Sequence, residues 1–277
     1  MPWNERSASR EHQWFEEEIL IIAKTYPNPS KKYIETSCIA GIARGLRGLV
    51  RLYPVPFRLL PSDRRFRKYQ WIRARVKKAE DDPRPESFRI DCDSLCPTEE
   101  GIPTTREWAL RKHLLTPHLV PSVEDLRRSQ RTAGQSLGLI RVKALKGLEI
   151  TPASPEWSPE QLAKLKLQQG RLWQGTLPPQ LEKVPFDFHY HFVCEGEACK
   201  GHKMKILDWE IYQLYRHCQS RYGTQWERHF RGKLEEEFST QKELWLLLGT
   251  VFKHPTSWII AGLIYPPRTA GDQLVLF

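Results

Sequence analysis

The segment Ile19-Leu-Ile-Ile-Ala23 is the first of four short runs that decide how the N-terminal part of this chain folds. The other three cover residues 33–42, 49–55 and 69–76, and they are partly β-branched or aromatic. Pro, Gly and Ser residues separate the runs, as is typical of strands joined by turns. Four strands in about 60 residues predict a compact sheet or small barrel.

The sequence changes character after this β-rich part. Residues 80–101, EDDPRPESFRIDCDSLCPTEEG, are acidic and contain three prolines, which predicts that 80–103 is a surface loop or a linker. Ser122 and Ser158 have the sequence context of helix N-caps. Strands are predicted over 136–150, 185–194 and 258–265, and helices over 209–221 and 224–248. The predicted class is α+β, with a β-rich barrel or sheet followed by a mixed helical and strand region.

The amino-acid composition limits the classes of protein to which this chain can belong. The chain has 277 residues and 40% of them are apolar, including ten Trp, nine Tyr and eleven Phe, so it can bury a substantial core. No apolar run is long enough to span a bilayer, and the first residues do not resemble a signal peptide. Six cysteines are too few for a disulfide scaffold. We therefore predict a cytoplasmic protein without membrane contact.

Positive charge is concentrated between Lys24 and Lys78. This stretch holds fifteen basic and two acidic residues, a net charge of +13 against +10 for the whole chain, whereas residues 79–100 carry a net charge of −6. Seven aromatic residues interleave with the basic ones. Cations bind phosphates and exposed aromatics stack on bases. The predicted nucleic-acid contacts are Arg44, Arg47, Arg51, Arg58, Arg64, Arg65, Arg67, Lys68, Trp71, Arg73, Arg75 and Lys77. The alternative is a solvated basic face above a buried aromatic core.

Five candidate metal ligands lie within residues 189–202, in the pattern His189-x-His191-x-x-Cys194-x4-Cys199-x-x-His202. Thiolates and imidazoles at such separations suit tetrahedral zinc. Cys194, Cys199, His202 and His191 are the predicted ligands of a structural zinc ion, with His189 or Cys218 as alternates for the fourth position. The other interpretations are that no metal binds, or that zinc is catalytic.

No sequence motif identifies a catalytic reaction. The chain contains no Walker A, dinucleotide-binding, nucleophile-elbow or HExxH pattern. The pair Asp208-Trp-Glu210 could hold Mg²⁺ in a nuclease, with Glu195 as a further candidate, but acids also favour a helix N-terminus. Catalysis is therefore not predicted, and a metal-dependent nuclease is the alternative.

The chain ends with Gln273-Leu274-Val275-Leu276-Phe277. This Gln-Leu-x-Leu-Phe pattern resembles the pentapeptide by which many DNA replication and repair proteins dock on the bacterial sliding clamp. The resemblance covers five residues, and it implies that Gln273 binds at the pocket mouth while Leu274, Leu276 and Phe277 fill an apolar groove. Val275 stands where Ser or Asp is commoner.

Together these features predict four regions: a basic nucleic-acid-binding module (1–79), an acidic loop or linker (80–103), an α+β region with the zinc loop (104–268) and a flexible tail with the clamp motif (269–277). The predicted function is a DNA-binding accessory protein that docks on the sliding clamp in bacterial replication, repair, transposition or antiviral defence against foreign DNA. The basic module by itself fits RNA as well as DNA. A second alternative is a non-catalytic subunit of a protein complex.

Overall fold

A computed structural model describes residues 13–30, 33–166, 181–197 and 199–268. Strands account for 43% of it and helices for 29%, which confirms the α+β class. No helix in these ranges is long and apolar enough to cross a membrane. The strands are β1 (Phe15–Lys24), β2 (Asn28–Ser30), β3 (Ile34–Ala43), β4 (Gly48–Val55), β5 (Gln70–Lys78), β6 (Ser87–Ile90), β7 (Cys96–Gly101), β8 (Leu137–Pro152), β9 (Phe186–Cys194), β10 (His202–Lys205), β11 (Trp245–Val251) and β12 (His254–Ile264).

The α-helices of the described residues begin at residue 105, after the first seven strands. They are α1 (Thr105–Leu115), α2 (Val123–Ala133), α3 (Pro159–Lys166), α4 (Trp209–Tyr222), α5 (Trp226–Arg231) and α6 (Phe238–Thr240), with a π-helical turn over Gly232–Glu237. The described residues form two compact units. The first lies within Met1–Gly101 and Ala153–Pro185, and the second within Ile102–Pro152 and Phe186–Phe277.

The first unit is a closed barrel. Strand β1 pairs antiparallel with β3 on one edge and with β5 on the other, so the series β1-β3-β4-β6-β5 returns to its start. Strands β4 and β6 pair in parallel. Five strands closed by such crossed connections correspond to the Greek-key barrel of the OB type. The predicted N-terminal barrel is thereby confirmed.

Side-chain alternation fills the barrel. On β5, Ile72, Ala74 and Val76 point inward and are at most 1% exposed. They pack with Ile19 and Ile21 of β1 in one apolar cluster. The alternate residues of β5, 71, 73, 75 and 77, point outward. The barrel therefore separates an apolar interior from a polar exterior along a single strand.

The acidic stretch 80–103 differs from the prediction of a loop or linker. It contributes β6, which pairs with both β4 and β5, and β7, which pairs with β5. Phe88 and Ile90 lie in the barrel core. The apolar positions of this stretch are few but correctly spaced for a short strand, and the surrounding acids and prolines obscure them in the sequence.

Residues of the segment 153–185 complete the first unit. Helix α3 packs against β2 and β3. Trp157 donates a hydrogen bond from Nε1 to the carbonyl of Leu181 at 2.7 Å, and the Tyr26 hydroxyl donates to the carbonyl of Glu182. Eight of the ten residues of β3 are buried, so most of this strand is shielded from solvent on both faces.

The second unit is an antiparallel sheet in the order β10-β9-β8-β11-β12, with helices attached. At the start of α2, the Ser122 hydroxyl accepts a hydrogen bond from the Asp125 amide at 3.0 Å. At the start of α3, in the first unit, Ser158 Oγ accepts from the Gln161 amide at 3.3 Å. Both predicted helix starts are thus confirmed. The predicted helix 224–248 is wrong beyond residue 240. Residues 245–251 instead form β11, a strand between two partners and buried on both faces, whose continuous apolar run does not distinguish helix from strand.

Gly41 provides a test of the barrel. A Cβ at this position would lie 2.4 Å from Ile19 Cγ2 and 2.8 Å from the carbonyl oxygen of Leu20. We expect Gly41→Ala to lower the free energy of unfolding by about 1–3 kcal/mol, measured by urea denaturation, because the backbone oxygen cannot rotate away. Gly48→Ala is the control, since its Cβ would meet nothing closer than 3.8 Å. Equal stability of the two variants would contradict the close approach.

Candidate metal centre

Three of the predicted ligands lie on one hairpin of the second unit. Cys194 is the last residue of β9 and His202 is the first of β10, and these strands pair antiparallel. Cys199 lies in the connecting loop. The hairpin therefore brings together the two ends of a nine-residue stretch, as the spacing predicts.

The fourth group comes from helix α2. Glu124, Cys194, Cys199 and His202 each place a ligand atom within 4.8 Å of all the others. His202 Nε2 is 3.2 Å from Cys199 Sγ, 3.6 Å from Cys194 Sγ and 3.5 Å from Glu124 Oε1. Glu124 Oε2 is 3.9 Å from Cys194 Sγ. This cluster of two thiols, one imidazole and one carboxylate could hold a metal ion.

Backbone groups hold the two cysteines in place. The Cys194 amide donates to Cys199 Sγ at 3.4 Å, and the Cys199 amide donates to the carbonyl of Gly196 at 3.0 Å. A Cβ on Gly196 would lie 2.7 Å from Ser122 Cβ. Glycine is therefore required where the loop passes the N-cap of α2, and this approach is what brings Glu124 to the hairpin.

The electrostatics of the cluster depend on burial. Burial raises the pKa of the Cys194 thiol, and backbone hydrogen bonds from Val123 and Gly196 act in the opposite direction. Burial also lowers the pKa of His202, a shift that Glu124 opposes. A neutral imidazole with an available nitrogen is the form that binds a metal, so the environment of His202 favours ligation.

The predicted fourth ligand, His191, is corrected to Glu124. Alternation along β9 places Cys194 among the buried residues and His191 on the opposite face, so one ion cannot reach both. His191 Nε2 instead lies 2.6 Å from Glu149 Oε2. Hydrogen bonds from Lys203 and His191 lower the pKa of Glu149 to about 2.

The two alternates are also outside the cluster. His189 shares the His191 face of β9, and Cys218 is a buried residue of α4. Nothing in the local spacing indicates Glu124, which precedes Cys194 by seventy positions. The only signal near it is the predicted helix start at Ser122, which places Glu124 in the first turn of α2 but does not show what its side chain faces.

The candidate nuclease pair has a structural role instead. Asp208 is 1% exposed and caps α4, since its Oδ1 accepts from the Glu210 amide at 2.8 Å and its Oδ2 accepts from the Leu263 amide at 2.7 Å. Glu210 lies in the first turn of α4, and Glu195 is exposed in the metal loop. Neither belongs to the metal-type cluster found among the described residues. The Asp208 carboxylate therefore serves to cap α4 and to bind the Leu263 amide.

The basic stretch is largely compensated in three dimensions. Acidic residues of β1 and of the stretch 80–93 pair with it across the barrel surface. The pairs are Arg44 and Arg73 with Glu18, Arg75 with Asp91, Arg64 with Asp93 and Lys77 with Glu80. The charge segregation of the sequence is thus reduced, because the acidic stretch folds beside the basic one.

Two predicted nucleic-acid contacts are held by partners within the first unit, Arg51 buried and Arg58 half-buried, and this corrects their assignment. Arg51 is 3% exposed and donates to Ser87 Oγ at 3.0 Å. Arg58 Nη1 lies 3.0 Å from Glu35 Oε2, an ion pair whose side chains are 18% and 4% exposed. A buried Arg paired in this way is unavailable for phosphate. Sequence alone does not separate such residues from surface cations.

The other predicted contacts lie at the surface. Arg65 donates to the carbonyls of Leu60 and Arg58, and Lys68 lies 5.6 Å from the Tyr69 ring. Arg47 and Arg67 are exposed and make no ion pair with any residue that the structure describes. The predicted clamp residues Gln273, Leu274, Leu276 and Phe277 lie outside the described residues.

The outward face of β5 carries a group of aromatic and cationic side chains. Trp71, Arg73, Arg75 and Lys77 alternate along it. Arg44 Cζ stands 4.3 Å from the centroid of Trp71, and Lys77 Nζ stands 5.7 Å from that of Trp14, which is 45% exposed. These residues, Trp14, Arg44, Trp71, Arg73, Arg75 and Lys77, are called the β5 strip below.

Two family models match the sequence. Residues 119–277 match the family described as "Domain of unknown function (DUF8757)", and residues 15–117 match "Domain of unknown function (DUF8758)". Because the first match covers more than half of the chain, the protein belongs to the DUF8757 family. The metal cluster lies within this match, and the described strands of the barrel lie within the other. No curated protein matches the chain.

Proposed function

We propose that this protein is a DNA-binding accessory protein with a structural zinc centre, and that it docks on the sliding clamp through residues 273–277. The β5 strip is the observation that carries the DNA-binding part. Arg73 and Arg75 are 64% and 56% exposed, and they lie between Trp71 and Lys77 on the outside of the barrel. Cations can neutralise phosphates there while the tryptophans stack on bases.

The ion pairs of the strip do not oppose this function. Exposed pairs such as Arg73–Glu18 contribute about 0–1 kcal/mol each, so a phosphate can replace a carboxylate at little cost. Binding would be driven mainly by counterion release and would weaken steeply with salt. Arg47, which has no ion pair among the described residues, adds a cation near the turn between β3 and β4.

The position of the strip is unusual for a barrel of this type. OB-type barrels bind oligonucleotides on their second and third strands and on the loops after the first and fourth. In this chain the second barrel strand, β3, is mostly buried and packs against α3. The loop between β5 and β6 carries Glu80, Asp81, Asp82 and Glu86. Both features disfavour DNA at the usual place and favour β5.

Zinc is the metal we propose for the cluster. Two thiolates, an imidazole and a carboxylate form a donor set typical of this ion. Tetrahedral zinc with bonds of about 2.0–2.3 Å separates its ligand atoms by about 3.3–3.8 Å. The four separations given above, 3.2, 3.5, 3.6 and 3.9 Å, lie close to that range. Zinc would fix the β9–β10 hairpin to the start of α2.

Zinc content tests the metal assignment. We expect the purified protein to contain about one zinc per chain by plasma mass spectrometry, and Cys199→Ser to lose it because a hydroxyl is a poor replacement for a thiolate. Cys96→Ser is the matched control, since Cys96 is exposed and outside the cluster. Retention of zinc by Cys199→Ser would contradict the assignment.

DNA affinity tests the β5 strip. We expect Arg73→Glu/Arg75→Glu to weaken binding by at least about tenfold and to reduce the slope of log K against log salt by about 1–2, measured by fluorescence anisotropy. Arg221→Glu/Arg228→Glu changes the net charge equally in the second unit and should retain affinity. Unchanged DNA affinity of the strip variant would contradict the β5 strip as the DNA site. Absence of DNA binding by the wild type would favour a non-catalytic subunit that does not contact nucleic acid.

A clamp pull-down tests the tail. We expect Leu276→Ala/Phe277→Ala to abolish capture by purified sliding clamp, because the motif places these side chains in an apolar groove. Val275→Ser occupies the position that the motif leaves open and should be captured like the wild type. Capture of the double alanine variant at the wild-type level would rule out docking by this motif.

A further inference from the structure

A cavity of about 320 Å³ opens directly beside the metal cluster. Glu124 and His202, two of the four ligands, form part of its wall. The other lining residues are Arg127, Lys200, Gly201, Lys203 and Met204. A ligand in this cavity would therefore be adjacent to the bound ion.

Glu124 differs from the other ligands in a way that matters for this cavity. Its side chain is 45% exposed, whereas that of His202 is 6% exposed. It also belongs to α2 and not to the hairpin that holds the other three ligands. Zinc sites with three protein ligands commonly bind an exchangeable fourth ligand. The carboxylate on the solvent side is the ligand of this set that can be exchanged without opening the hairpin.

The charges around the cavity favour an anion. Arg127 and Lys200 make no ion pair with any described residue, and Lys203 Nζ lies 2.7 Å from Glu149 Oε1. Among the lining residues Glu124 is the sole acid, against the three basic residues Arg127, Lys200 and Lys203. The guanidinium of Arg127 can donate two parallel hydrogen bonds to a phosphate.

We propose that the metal centre is a phosphate-binding site. Cys194, Cys199 and His202 would hold the ion, and a phosphate oxygen would take the place of the exposed Glu124 carboxylate beside them, with no covalent bond formed or broken. Arg127 and Lys200 bind the remaining oxygens. This inference rests on the proposed zinc centre and gives the centre a ligand that the DNA-binding proposal does not require.

Cobalt-substituted protein tests the site, because Co²⁺ reports its ligands in the visible spectrum. We expect inorganic phosphate to change the cobalt absorption bands saturably and to show a broadened phosphorus resonance in NMR. Arg127→Ala/Lys200→Ala should retain cobalt and weaken phosphate binding by at least about tenfold. Arg128→Ala is the matched control, since Arg128 is the next residue on α2, is 68% exposed and does not line the cavity.

The same cobalt measurement with oligonucleotides identifies the source of the phosphate. If the site takes a nucleic-acid end, a 5′-phosphorylated oligonucleotide should shift the cobalt bands at lower concentration than inorganic phosphate does, and its unphosphorylated counterpart should not shift them. If it takes free phosphate, inorganic phosphate should be the better ligand. Either result supports the site.

Failure of the inference is distinguishable from failure of the zinc proposal. A protein that binds neither zinc nor cobalt would overturn both. A protein that binds cobalt but shows no change in its bands with phosphate would overturn the phosphate site alone. Equal phosphate affinities of the Arg127→Ala/Lys200→Ala variant and the Arg128→Ala control would also overturn it.

Discussion

Hydrogen bonding along both edges of β1 is the constraint on which the first unit depends. Ile19 pairs with Ala43 of β3 on one side and with Ile72 of β5 on the other, so one strand closes the barrel. Closure leaves no free edge on this path and fixes the register of its neighbours. Because the register is fixed, Ile72, Ala74 and Val76 fill the interior while Trp71, Arg73 and Arg75 must face outward.

The same closure explains why the charge pattern changes between sequence and structure. The stretch after residue 79 is acidic, but Phe88 and Ile90 of β6 pack in the barrel core. Strand β7 pairs with β5. Acids of the loops beside these strands, Glu80, Asp91 and Asp93, then pair with Lys77, Arg75 and Arg64. The cations of the β5 strip are among those that pair with acids, so the unpaired positive surface is narrower than the linear charge count indicates.

The metal cluster combines a local and a long-range part. The hairpin ligands Cys194, Cys199 and His202 follow from spacing alone, because a tight loop between paired strands returns the chain to its start. Glu124 lies in the cluster only because Gly196 allows the hairpin loop to approach Ser122 at the start of α2 closely. The two parts differ: the hairpin provides two thiols and an imidazole, and the helix provides an exposed carboxylate next to a cavity lined by basic residues.

The sequence by itself determined the α+β class, the small N-terminal barrel, the helix starts at Ser122 and Ser158, and three of the four residues of the candidate metal cluster. Each of these depends on neighbours in the chain, through side-chain alternation, capping or short loop closure. Tertiary structure decided that 80–103 supplies a barrel strand and an added strand, that Arg51 and Arg58 are paired inside the first unit, that Asp208 is a cap, and that Glu124 joins the cluster in place of His191. The first three outcomes and the presence of Glu124 depend on which distant segments pack together, so local sequence patterns do not reveal them. The exclusion of His191 follows from side-chain alternation along β9, which the predicted strand 185–194 already implies.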